Sequence, residues 1–187
     1  MHELARTVFA FVCGQGPAHT WMPGGVTLPF CQRCTGLYTG AAVALVLHLA
    51  LRIRPGGRFL QVHGAFLLAM VPFGYHWLPQ GAVVRTVVGF VYGAGIVSFL
   101  WLLPGHVVGH VWPLTSARAA VYAGLVAAGV VAAPLLASRA DMIAADALVI
   151  AGLAGLAGLV ALAVANLAVG GWWLRDRLAG HPRGANP

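Results

Sequence analysis

Residues 142–172 form one apolar run in which only Asp146 carries a charge. Four further runs, 35–53, 60–78, 85–103 and 118–137, are nearly as apolar. A helix needs about 20 such residues to cross a hydrocarbon core of about 30 Å. Inside that core every backbone N–H and C=O must be bonded within its own segment, which an α-helix does and a loop does not. The expected fold class is therefore all-α: an integral membrane helical bundle of about five transmembrane helices, preceded by an N-terminal arm that carries cysteine. The run at 142–172 is longer than a perpendicular crossing, so it must tilt or run out into the interface. Its AGLAGLAGL stretch is low in complexity but apolar throughout. Composition agrees, since 60% of the 187 residues are hydrophobic and 8% are charged, against about 25% charged in a soluble domain.

Proline and glycine punctuate the chain at RPGG (54–57), LPQG (78–81) and LPGHVVGHVWP (103–113). These breaks divide it into an arm (1–34), a three-helix core (35–103), a loop (104–117), two further spans (118–172) and a tail (173–187). Residues 5–12 are expected to form a short interfacial helix, because Leu4, Val8, Phe11 and Val12 share a face. The N-terminus is not read as a signal peptide: its apolar core is short and Glu3 sits where positive charge belongs.

The chain has eleven arginines, no lysine and four acids (Glu3, Asp141, Asp146 and Asp176). The arginines stand singly at the ends of apolar runs, which is the pattern of interface anchors and topology signals rather than of a phosphate-binding stripe. The partners expected are thus membrane lipids and other membrane protein subunits, not nucleic acid. With five spans, one side carries Arg6, Arg33, Arg85 and Arg139. The other carries Arg52, Arg54, Arg58, Arg118, Arg175, Arg177 and Arg183. The positive-inside rule then places the chain in the cell inner membrane with its N-terminus outside and its C-terminus in the cytoplasm.

That topology gathers the polar chemistry. Cys31 and Cys34 open the first span, with Cys13 and His19 in the arm on the same side. The second span returns to deliver His76 and Gln80 there; Arg85 opens the third span, and Asp146 lies one turn into the last. His48, His63, His106 and His110 fall towards the opposite face. Three cysteines with a nearby histidine suit a tetrahedral Cys3His zinc site, and thiolates with imidazole suit other soft ions too. His19 or His76 would supply the fourth ligand. Alternative readings stand beside these: buried small thiols or one disulfide for the cysteines, an aromatic-belt anchor for His76, and a helix-dipole partner for Asp146.

Two spans begin alike. RCTGLYTGA (33–41) and RTVVGFVYGA (85–94) each give arginine followed by Gly-x-x-x-Gly-Ala. Gly36 with Gly40, and Gly89 with Gly93, clear one stripe on each helix, so the two backbones are expected to pack closely. Arg33 and Arg85 would then lie near each other beside the cysteines. An anion such as a lipid phosphate, a quinone oxygen or Asp146 would separate them.

The segment LPFCQRCTGLYTGA resembles the P-x-C-x-R-C-T-G-x-Y-x-G signature of a small prokaryotic membrane-protein family, domain of unknown function 2085. The R-x-x-x-G-x-x-x-G at 85–93 is similar to that family's second arginine-glycine segment, so the resemblance covers roughly residues 13–95. The family pattern has an upstream Cys-His pair; here Cys13 is followed by Gly14, and the nearest histidine is His19. The resemblance implies a multi-pass membrane protein and supports the site without naming its chemistry.

The leading functional expectation is a non-enzymatic accessory or scaffold subunit of a membrane complex, with a zinc site at its outer face. A quinone-linked thiol–disulfide oxidoreductase using Cys31 and Cys34 is the alternative, since a helix N-terminus and two arginines favour the reactive thiolate. A small transporter is the second alternative. Thr39, His48 and Asn166 are scattered, however, and no span repeats a charged position.

Overall fold

The computed structural model describes residues 1–75, 77–107 and 112–179. The elements are α1 (His2–Ala10), two 3-10 turns (Pro17–His19 and Pro23–Gly25), α2 (Gln32–Leu51), β1 (Ile53–Arg54), α3 (Gly57–Gly74), α4 (Ala82–Leu100), α5 (Leu102–Val107), β2 (Trp112–Pro113), α6 (Ser116–Ala137) and α7 (Met142–Leu178). The protein is all-α apart from β1 and β2, which pair in parallel as Ile53 with Trp112 and Arg54 with Pro113.

Among the described residues, four helices are long and apolar enough to cross a membrane: α2, α4, α6 and α7. The second expected span is also a helix, but α3 carries Arg58, Gln61 and His63 in its first two turns and is only 18 residues long. Its path follows from its neighbours. Gly36 of α2 meets Thr86 and Phe90 of α4, and Gly93 of α4 meets Leu37 and Ala41 of α2. Those helices are therefore parallel, and the chain between them must return over the same depth. It does so, because Gly95 near the end of α4 contacts His63 and Leu67, while Arg33 at the start of α2 reaches Phe73 at the end of α3. Five helices thus run through the bundle, and the polar residues of α3 sit where it enters.

Helix ends are set locally. Asp141 caps α7 by accepting the Ala144 N–H at 2.6 Å, and Thr115 caps α6 by accepting the Arg118 N–H at 3.4 Å, each satisfying an otherwise unpaired donor. Pro72 and Pro134 lie in the last turns of α3 and α6, where a missing backbone donor disturbs little further helix. Half of α2 and of α4 is buried, against 22% of α6, so α2 and α4 form the centre and α6 the flank. Helix α7 starts beside the arm, crosses α2 with Gly155 against Tyr38, and reaches the end of α4, where Asn166 Nδ2 donates to Leu100 O at 2.7 Å. It then continues as helix to Leu178, beyond the 172 at which the last span was expected to end.

Candidate functional site

Cys31 is the N-cap of α2, and its carbonyl accepts the Thr35 N–H at 2.8 Å. Its sulfur therefore lies at the positive end of a long helix dipole. Cys34 follows three residues later, on the same side of the first turn. Cys13 arrives from the arm, whose position is set by packing. Phe9 is fully buried, with ring centroids 4.7 Å from Phe30 and 5.0 Å from Tyr38. Gln15 takes a left-handed backbone (φ 46°) and donates through Nε2 to Arg6 O and Pro29 O, both at 2.8 Å. Thr20 makes an antiparallel bridge with Cys31.

The three sulfurs consequently lie within 4.8 Å of one another, and the Cys31 N–H donates to Cys13 Sγ at 3.2 Å. All three thiols are free. Hydrogen bonding from Cys13 first, then from Cys34, with the backbone N–H groups of Cys34 and Arg33, holds the Cys31 thiol well below its ordinary range; burial opposes this and loses. A tetrahedral zinc with Zn–S bonds of about 2.3 Å needs sulfurs about 3.8 Å apart, so the donor type and the spacing both fit. The thiols supply three of the four ligands a tetrahedral zinc needs, which leaves one position to fill.

The other candidates divide. His19, Arg33 and Arg85 line a cleft of about 370 Å³ with the three cysteines. Within it His19 Nδ1 accepts from Arg85, which also donates to Gln32 Oε1 at 3.2 Å. Arg33 turns the other way, donating to Phe73 O at 3.0 Å and Gln80 Oε1 at 3.4 Å, while Gln80 donates to the same Phe73 carbonyl. Arg33 Nε is buried without a hydrogen bond among the described residues. Asp146 is not between the arginines: its Oδ1 lies 2.9 Å from His2 Nε2, where it ties α7 to α1. His76 falls outside the described residues. Gly36, Gly40, Gly89 and Gly93 form the α2–α4 seam, where an added Cβ at any of the four would come within 2.2 Å of a backbone oxygen on the facing helix.

Some of the site's scaffold carries no motif. Trp21 Nε1 donates to Thr86 Oγ1 at 2.9 Å, and the buried Thr86 hydroxyl lies 3.0 Å from Gln32 O. The arm is thereby tied to α2 and α4 together. A tryptophan between two turn-forming Gly-Pro clusters was the sole signal for this, and it is weak.

A helical membrane bundle with a three-thiol cluster at one end is the class these features define. Residues 13–99 match the model of the family described as "Predicted membrane protein (DUF2085)". That span takes in all three cysteines, Arg33, Arg85 and both glycine pairs, and leaves α1, α5, β2, α6 and α7 outside. No curated protein and no solved structure matches the chain.

Proposed function

We propose that the protein is an accessory or scaffold subunit of a membrane complex, whose N-terminal arm is locked to the bundle by a zinc ion on Cys13, Cys31 and Cys34. The observation that carries this reading is the convergence of three free sulfurs from two distant points of the chain to within 4.8 Å. His19 or His76 completes the tetrahedron. Three thiolates and a divalent cation leave one net negative charge, and Arg33 and Arg85 in the same cleft wall are its counter-charges. The cluster lies at the outer face, with the C-terminus in the cytoplasm of a cell bounded by this inner membrane. Apolar faces of α6 and α7 offer a surface to partner helices.

Metal content of the detergent-purified protein, paired with a free-thiol count, tests this. About one zinc per chain is expected, lost on Cys13→Ser, Cys31→Ser or Cys34→Ser. A metal-free protein with two of its thiols oxidised to each other would overturn it. That result would favour the oxidoreductase reading, which draws on the lowered Cys31 thiol at a helix N-terminus. There, two thiols would become a disulfide, and a quinone would take up their two electrons and two protons to become a quinol.

A further inference from the structure

At the end of the bundle opposite the cysteines, a slot of about 640 Å³ runs between α3 and α6, with Val91 of α4 as its floor. Its walls are hydrocarbon apart from Arg58 and the His63–Tyr122 pair. That pair is closed on itself. His63 Nδ1 lies 2.8 Å from the Phe59 carbonyl, so it carries the proton, and the Tyr122 hydroxyl donates to Nε2 at 2.9 Å. Neither group asks anything of a ligand, and the slot is in effect apolar.

Its mouth is different. A second hollow of about 520 Å³ shares Arg58, Phe59 and Leu114 with the slot and adds Arg54, Gly56 and Gly57. Arg54 and Arg58 are exposed, and neither guanidinium has a hydrogen-bonding or ionic partner among the described residues. The chain contains no acid between Glu3 and Asp141, so nothing nearby in sequence neutralises them. Gly56 is the N-cap of α3 and has no capping side chain. Gly56 and Gly57 line the hollow together with both arginines, and open space lies beside them, so no side chain covers the unpaired N–H groups of that first turn.

The slot's length fixes the kind of guest. Its wall on α6 runs from Ala119 to Val131, about 18 Å at 1.5 Å per residue. One leaflet is half of a core of about 30 Å. We infer that this groove holds one anionic phospholipid of the adjoining leaflet, its phosphate between Arg54, Arg58 and the start of α3, and an acyl chain in the slot. A cationic mouth, a helix start and an apolar slot one leaflet deep match the three parts of such a molecule. Any one of these features alone would not. The site is independent of the thiol cluster.

The test uses the full chain in neutral detergent, titrated with phosphatidylglycerol or phosphatidylcholine of identical acyl chains and read by native mass spectrometry. One phosphatidylglycerol per chain is expected to be held at least tenfold more tightly than phosphatidylcholine. Each arginine near an anionic surface contributes about fivefold, so Arg54→Gln with Arg58→Gln brings the two lipids to within about twofold. Ala123→Phe, which fills the slot from an exposed position on α6, lowers retention of both. Arg52→Gln, an exposed arginine outside the groove, keeps the preference. The inference is overturned if wild type does not distinguish the lipids, if the double variant keeps its tenfold preference, or if Arg52→Gln loses it. Displacement of phosphatidylglycerol by millimolar inorganic phosphate would overturn it as well, since the slot would then contribute nothing.

Discussion

Cys31 shows how much chemistry one position can inherit from its neighbours. Its thiol is lowered from the ordinary range by Cys13, by Cys34 and by the first backbone N–H groups of α2. The sign follows from linkage. A folded-state value below the unfolded one contributes stability that is fully present above the unfolded value and is lost as pH falls towards the folded one. The thiolate itself persists through neutral pH. In metal-free protein the alkylation rate of Cys31 by iodoacetamide is therefore expected to stay nearly flat from pH 8 to pH 6. An ordinary thiol, with a pKa of about 8.5, slows about tenfold per unit over that range. A tenfold fall per unit, measured by peptide mapping, would mean that Cys13, Cys34 and the helix start do not together hold Cys31 as a thiolate. At this scale the Cys-x-x-Cys pair was legible because its spacing is local. The role of Cys13 was legible only as proximity along the chain, since Phe9 and Gln15, which bring it in, belong to no motif.

Elements are held by packing more than by charge, and two contrasts test that. The arm meets the bundle through buried Phe9 and through the His2–Asp146 pair, whose side chains are 28% and 47% exposed. Removing a buried phenylalanine costs about 3–5 kcal/mol, whereas a solvent-screened pair is worth about 1 kcal/mol or less. Phe9→Ala should then raise hydrogen exchange of residues 5–16 about a hundredfold or more, and Asp146→Asn should change it less than tenfold. Equal effects would mean that the ion pair, not the ring, holds the arm. Along the α2–α4 seam, a Cβ on Gly36 would sit 1.8 Å from Thr86 O, while one on Gly124 of α6 meets nothing within 4 Å. Gly36→Ala is expected to cost about 1–3 kcal/mol by forcing two backbones apart. Gly124→Ala should be neutral or slightly stabilising. Thermal unfolding in detergent separates them. Both glycine pairs of this seam could be read as a stripe, because four-residue spacing stacks residues on one helix face. The seam on α7 could not: Gly152, Gly155 and Gly158 meet Phe30, Tyr38 and Leu45, yet in sequence they are part of a low-complexity apolar repeat.

Over the whole molecule, direction matters most. Parallel α2 and α4, joined in sequence by the antiparallel α3, put the cysteines, Gln80 and the start of α7 at one end. They put β1, β2 and the start of α6 at the other. Helix α7 is 37 residues long, about 55 Å at 1.5 Å per residue, and passes the end of α4 at Asn166. Its last three turns carry exposed Trp172 and Leu178, and Arg177 stacks on Trp173 at 3.6 Å, which suits a helix lying out through a headgroup layer. Because most arginines lie at this end, alkaline phosphatase fused after Gly81 should be active and the same enzyme fused after Leu178 inactive, with a fluorescent protein giving the reverse. The opposite pattern would invert the proposed orientation while leaving the bundle intact.

Hydropathy is a property of consecutive residues, so the sequence alone determined that this chain is a helical membrane protein and roughly where its helices run. It also determined which short motifs start α2 and α4. Which helix faces touch depends on how closely two backbones can approach, and that is settled between residues far apart in the chain. Tertiary structure alone decided that the polar start of α3 must enter the bundle and that His19 turns to Arg85. It also decided that Asp146 pairs with His2 of the arm rather than bridging arginines, and that Arg54 and Arg58 stand together at the mouth of an apolar slot. Each of these outcomes is a choice of partner, and a one-dimensional pattern of polarity carries no term for it.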